Sequence, residues 1–260
     1  MSFTFLTADW RKLIMAQYEV APEVLQRHLP PGLELDLYGG RCFVSLVGFL
    51  FDRVRLLGVP VPFHTRFEEV NLRFYVRRPM PDGSHRRGVV FLSEIVPKPA
   101  ITLVARALYG EAYSTSRTDH FWSSQSPDRA HRQAVRHGDL PLEIRYGWRG
   151  PRLRANGYRG AAQHIAVQAG NGKAPIAPGS LEEFITEHYW GYTPTRSGGT
   201  DEYAVEHRQW EVYPVHAHSI HCDFGAQYGP AFAHLNSREP DHILLAEGAP
   251  VRIRWGGNIA

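Results

Sequence analysis

Lysine is nearly missing from this chain: Lys12, Lys98 and Lys173 stand against 26 arginines in 260 residues. That shortage restricts the chemistry. An amine can lose its proton and form an imine, whereas a guanidinium stays charged and offers a planar fork for carboxylates and phosphates. Cysteine is as sparse, with only Cys42 and Cys222; no disulfide framework is implied, and two reduced thiols in the cytoplasm are expected. Residues 1–10 show no basic start followed by an apolar stretch, so no signal peptide is expected. The longest apolar run, near 43–51, falls far short of the roughly 20 residues needed to span a bilayer. An excess of one charge is also lacking: 29 basic against 26 acidic residues leave +3, too mild to point to nucleic acid. The basic cluster Arg145, Arg149, Arg152, Arg154 and Arg159 has no nucleic-acid module beside it and reads as a solvated loop. GxSxG, GxGxxG, P-loop, HExxH and paired CxxC motifs are all absent, so the usual signatures of hydrolase, dinucleotide, phosphate and zinc chemistry are missing. No cofactor is expected.

What is present is β-rich patterning. Segments 11–20, 33–37, 41–51, 67–77, 88–96, 140–148, 161–169 and 251–255 read as strands. Segments 204–213 and 215–224 read as a strand pair joined at Pro214. Short helices are expected over 21–28, 99–109, 126–136 and, from a capping-box start at Ser180, through Glu187. No linker or repeat interrupts the pattern, so residues 1–260 are expected to form one domain. About ten strands with a few short helices fit a mainly β, α+β fold: a closed β-barrel with a central cavity.

The stretch 67–77 (FEEVNLRFYVR) alternates cleanly. Val70, Leu72, Phe74 and Val76 share one face; Glu69, Asn71 and Arg73 share the other. On an ordinary strand such a polar face is solvated; inside a barrel wide enough for a ligand it becomes the lumen instead, and the apolar face packs under outer helices. Arg73 would then hold a carboxylate and Glu69 would exchange a proton. Glu187, His188, Tyr189, Trp190 and Tyr192 crowd an acid, an imidazole and aromatic rings where a helix meets a turn; His188 and Tyr189 are expected to shape the pocket. His216 and His218 share a strand face, as some metal sites require, but the sequence places no third ligand.

Three segments, 10–36 (WRKLIMAQYEVAPEVLQRHLPPGLELD), 41–77 with VSLVGF and FHTRFEEVNLRFYVRR, and 90–113 (VFLSEIVPKPAITLVARALYGEAY), resemble the YqjF-like family of the acetoacetate decarboxylase superfamily. FITEHYWGYT at 184–193 fits the same family. The resemblance implies a cone-shaped β-barrel around a polar cavity. In the decarboxylases that cavity is lined by an arginine of the first strand, two glutamates and a pair of lysines, one forming a Schiff base. Arg11 matches the arginine and Glu69 one glutamate; the other falls at Lys98, with its charge reversed. The lysine pair has no counterpart in Tyr109-Gly110-Glu111-Ala112-Tyr113. This departure argues against decarboxylation of acetoacetate through an imine and leaves Lys98 as the one candidate amine near the site. Lys12 should face away from Arg11, and Lys173 sits in a Gly/Pro loop.

The expected function is that of an enzyme or former enzyme, lyase-like in class, acting on a small acidic or carbonyl-containing molecule. Glu69 and Lys98 are its candidate catalytic groups; Arg11, Asn71, Arg73, His188 and Tyr189 are its candidate ligand contacts. A non-catalytic binding or sensor protein, and a metal-dependent enzyme using His216 and His218, are the alternatives. Self-association is left open; neither nucleic acid nor a membrane is an expected partner.

Overall fold

The structure, a computed structural model, describes residues 3–99, 113–151 and 160–259. It is mainly β, with few and short helices. The long first strand, Thr4–Val20, pairs antiparallel with Cys42–Leu56 along most of its length. Its other edge takes Pro250–Asn258 in the first half and His242–Ala246 in the second. From Pro250–Asn258 the ladder continues through Thr200–His207, Trp190–Pro194, His85–Val96 and Phe67–Pro79, and returns to Cys42–Leu56. The sheet therefore closes on itself as a ring.

Strict alternation sorts the side chains. On Phe67–Pro79, Val70, Leu72, Phe74 and Val76 point outward into one apolar cluster. Phe67 and Tyr75 join a separate inner cluster on the opposite face, the face that also carries Glu69, Asn71 and Arg73. The outward face is covered mainly by a second sheet, while Leu25, Val135, Phe224, Phe232 and Leu235 of short helices join the same apolar cluster. The strand order of that sheet is Val215–His221, Ala162–Ala169, Leu142–Arg149 and Thr118–Trp122. Leu142, Ile144, Tyr146 and Trp148 alternate toward the ring, as do Ile165 and Val167, so two apolar sheet faces meet. The sheets come close at Gly48, where a Cβ would lie 3.0 Å from Ile165 and 3.1 Å from Tyr146.

The pair expected around Pro214 does not form. Glu211–Tyr213 pairs with His242–Ala246, whereas Val215–His221 crosses to the second sheet and pairs with Ala162–Ala169. Proline has no N–H to give a ladder, and Pro214 stands where the chain leaves one sheet for the other. Strands His242–Ala246 and Trp190–Pro194 had no counterpart in the sequence reading. Beyond Pro99, the helix expected over 99–109 lies outside the described residues.

A hydrogen-bonded carboxylate ties the ring to the second sheet. Glu68 accepts hydrogen bonds from Thr118 Oγ1 at 2.6 Å and His120 Nδ1 at 2.6 Å. Burial alone would raise the Glu68 carboxyl; the bonds from His120 and Thr118 outweigh it and hold the group down at about 2, against an ordinary 4.5. A carboxyl depressed by folding stabilises the protein above its unfolded pKa and loses that contribution as the pH falls toward the folded value. A shift of this size corresponds to roughly 3 kcal/mol. Melts between pH 5 and pH 2 should therefore show a smaller loss of stability for Glu68→Gln than for the unaltered chain. Parallel curves would refute this role.

Candidate functional site

The ring encloses a cavity of about 220 Å3. Its polar wall comes from Phe67–Pro79 and His85–Val96, through Glu69, Asn71, Arg73 and Glu94, with Tyr113 beside them. Trp10, Leu13, Val47, Phe49, Phe51 and Val205 on other strands, with Trp210 in the loop after Thr200–His207, make an apolar wall.

On the polar wall, Glu69 is only 2% exposed. Its carboxylate accepts from Asn71 Nδ2 at 2.9 Å and from the Tyr113 hydroxyl at 3.2 Å. Glu94, equally buried, stands opposite Asn71 across the ladder. Arg73 is 7% exposed, and its Nε has no hydrogen-bond partner among the described residues. No carboxylate among those residues forms an ion pair with it. A guanidinium buried without a counter-charge is costly, and it is stabilised when an anion arrives beside it.

His188, which follows the helix Leu181–Thr186, lines the cavity edge. Its ring packs on Tyr75 at 4.8 Å and Phe184 at 5.1 Å. Nε2 donates to Asp36 Oδ2 at 3.0 Å, and the same oxygen accepts from Arg87 Nε at 2.7 Å. Burial pushes the imidazole down to about 4, against the opposing pull of Asp36. The hydrogen bonds from His188 and Arg87 outweigh burial of Asp36 and keep its carboxyl below the ordinary range. The pair is thus a neutral imidazole on a carboxylate at neutral pH.

His207 is a lining residue that sequence reasoning did not assign to this site. Its Nδ1 donates to the Arg208 carbonyl at 2.9 Å, and its ring stacks on Trp210 at 4.5 Å. Tyr189 is corrected: it packs behind His207 at 4.8 Å, hydrogen-bonds Glu187 and does not itself line the cavity.

Arg11 is also corrected. Trp10 points inward, so Arg11 points outward, toward Asp9 at 3.8 Å and Glu247 at 3.7 Å. The register with Cys42–Leu56 then slips between Arg11 and Ile14, and Lys12 adopts a left-handed φ of 52°. This bulge sends Lys12 to the Tyr213 hydroxyl at 2.6 Å and Glu247 at 2.9 Å, and it brings Leu13 inward.

A second bulge explains Glu94. Leu72 faces Ser93 but Arg73 faces Phe91, leaving Leu92 as the extra residue. Phe91 and Glu94 therefore share the inner face, which simple alternation would have denied Glu94. A second buried carboxylate, Glu94, lines the cavity. Lys98 lies half-buried past the strand end at Val96 and does not line the cavity. Neither do Lys12 and Lys173. Of the turn 109–113, only Tyr113 falls within the described residues.

His216 and His218 lie on an exposed strand of the second sheet, with His218 Nε2 at 2.8 Å from Glu239. Among the described residues, no group of three or more His, Cys, Asp or Glu is placed to hold a metal ion. Nor is any helix there long and apolar enough to cross a membrane.

Residues 7–250 match the model of the DUF2071 family, described as an uncharacterized conserved protein. The uncharacterized protein YqjF of Bacillus subtilis is 26% identical over 202 residues, covering 77% of this chain and 72% of its own length. Among solved structures, the acetoacetate decarboxylase of Legionella pneumophila superposes with a TM-score of 0.60 at 13% identity, over 98% of this chain and 87% of that one. The enduracididine biosynthesis enzyme MppR, complexed with the condensation product of pyruvate and imidazole 4-carboxaldehyde, gives 0.56 at 12% identity, over 99% and 89%.

Proposed function

We propose, for a chain that belongs to the DUF2071 family of uncharacterized conserved proteins and has the acetoacetate decarboxylase-like fold, that the cavity binds a small carboxylate or oxo acid on Arg73. Glu69 and Glu94 then hold and move protons at the bound molecule. The observation that carries this reading is the buried Arg73 guanidinium, which lines the cavity without a carboxylate partner among the described residues. MppR, on the same fold, has been captured with a pyruvate-derived molecule. A lyase-like reaction on an acidic substrate suits two buried carboxylates beside an anion site.

The reaction we propose runs without a Schiff base. None of the three lysines lines the cavity, and arginine is too basic to serve as the amine. Borohydride treatment with acetoacetate or pyruvate should leave the intact mass unchanged. A reduced adduct lost in Lys98→Ala would restore imine chemistry. The same lack of an amine favours a second reading, a binding protein without turnover, which tight ligand binding with no product would select.

The anion site has its own test. Arg73→Met should weaken binding of pyruvate, acetoacetate and phenylacetate, followed by calorimetry, by about 30-fold or more, as expected when one partner of a buried charge pair is removed. Unchanged affinities would end the proposal.

A further inference from the structure

We infer that the ligand of this cavity is an amphipathic acid, with an aromatic or comparably bulky apolar body attached to its carboxylate, and not an acid as small as pyruvate. The inference rests on the anion-binding reading of Arg73 and adds to it the class of molecule bound.

The cavity is divided by chemistry. Its charged side chains Glu69, Arg73 and Glu94 gather on two neighbouring strands, with the imidazole of His207 set against Trp10 and Trp210. The other side is aromatic. Trp10 sits edge-on to Phe49 at 5.3 Å, to Phe51 at 5.9 Å and to Trp210 at 6.2 Å, and Phe51 stacks on Phe67 at 4.9 Å. These rings hold one another in place and leave faces and edges turned to the space. Apart from the Nε1–H groups of Trp10 and Trp210, which have no partner among the described residues, such a wall offers water few hydrogen-bond partners, and an apolar group that displaces it gains both burial and ring contacts.

Size points the same way. A volume of about 220 Å3 has room for roughly seven waters, and bonded atoms need less space each than free waters do. Pyruvate held at Arg73 would leave the aromatic side unfilled. A ring one or two carbons from the carboxylate would fill it.

The apolar wall also continues to the surface. Leu56 and Val61 line the cavity, and their neighbours Leu57, Val59 and Phe63 are exposed, Phe63 by 89%. Large apolar side chains left in solvent along one rim commonly mark a binding entrance. Here they extend the aromatic wall outward, as a ligand with an apolar body requires.

The test compares phenylpyruvate with pyruvate by calorimetry, on the unaltered protein and on Trp210→Ala, Trp210→Phe and Arg73→Met. Phenylpyruvate is expected to bind roughly tenfold tighter or more, from burial of its ring. Trp210→Ala should erase most of that advantage while leaving pyruvate affinity unchanged, and Trp210→Phe should restore part of it. Arg73→Met should weaken both ligands. Equal affinities on the unaltered protein, or an advantage that survives Trp210→Ala, would overturn the inference while an Arg73 effect kept the anion site. Loss of the Arg73 effect with the phenyl preference intact would instead overturn the anion reading. Failure of both acids to bind at millimolar concentration would overturn the two together. Melting curves of each variant separate loss of binding from loss of fold.

Discussion

Replacing Tyr146 by alanine should destabilise the protein by about 3–5 kcal/mol, the range for emptying a buried aromatic site. Tyr146 is fully buried between the ring and the second sheet, under the close approach at Gly48. Its hydroxyl receives the Trp122 Nε1–H at 3.2 Å and reaches the carbonyls of Arg11 at 3.2 Å and Lys12 at 2.9 Å. Those carbonyls belong to the bulge that turns Trp10 and Leu13 into the cavity. Tyr146→Phe keeps the ring and removes the hydroxyl, leaving buried polar groups without a partner, so a loss of about 1–3 kcal/mol is expected. Urea unfolding should show lower midpoints at unchanged slope, in the order unaltered, Phe, Ala. Equal losses for Phe and Ala would show that the hydroxyl, and not the packing of the ring, accounts for the effect.

Gly248→Ala should destabilise by about 3 kcal/mol or more, combining a left-handed backbone with a steric overlap. Gly248 has φ +82°, and a Cβ there would overlap the Trp10 carbonyl and lie 2.9 Å from Leu13 Cδ1. It sits where the chain crosses the bulge, since Trp10 N–H donates to Ala249 O and Lys12 N–H to Glu247 O, both at 3.0 Å. An added methyl must push the first strand aside, and Trp10 and Leu13 with it, so the cavity should be disturbed as well. Gly83 provides the control: its φ is also +82°, but nothing lies within 4 Å of its Cβ position. Gly83→Ala then carries only the backbone strain, about 1 kcal/mol. Thermal or urea unfolding of the two variants measures the difference. Equal effects would mean that the chain at Gly248 yields to a methyl group without resistance.

Much of the site could be read from short-range pattern. Residues 67–77 alternate so regularly that Glu69, Asn71 and Arg73 had to share one face, because successive side chains of a strand point to opposite sides. The scarcity of lysine was visible in the composition. The family resemblance pointed to the ring-like β architecture that places the polar face inside. The cap at Ser180, whose Oγ accepts from Glu183 N–H at 3.2 Å, lies where the spacing predicts a helix start.

The tertiary structure decided which further residues join that face. A bulge is one residue inserted into a ladder, and it leaves no mark in local alternation. At Lys12 it turns Leu13 inward and sends the lysine out; at Leu92 it brings Glu94 inward. Arg11 was placed in the cavity by the family resemblance; a strand pattern defines two faces without saying which one is the lumen, and the inward Trp10 leaves Arg11 on the other. Asp36 and His188 are 152 residues apart, and no periodicity links positions so distant. The covering layer was only partly legible for the same kind of reason: Leu142, Ile144, Tyr146 and Trp148 show an apolar face, but only the meeting of two such faces makes a sheet the main part of the outer wall. The sequence by itself determined most of the strands and the polar stripe, because these follow from neighbours along the chain. The inward carboxylate pair, the Asp36–His188 contact and the aromatic wall follow from register and closure, which exist only when distant strands pair.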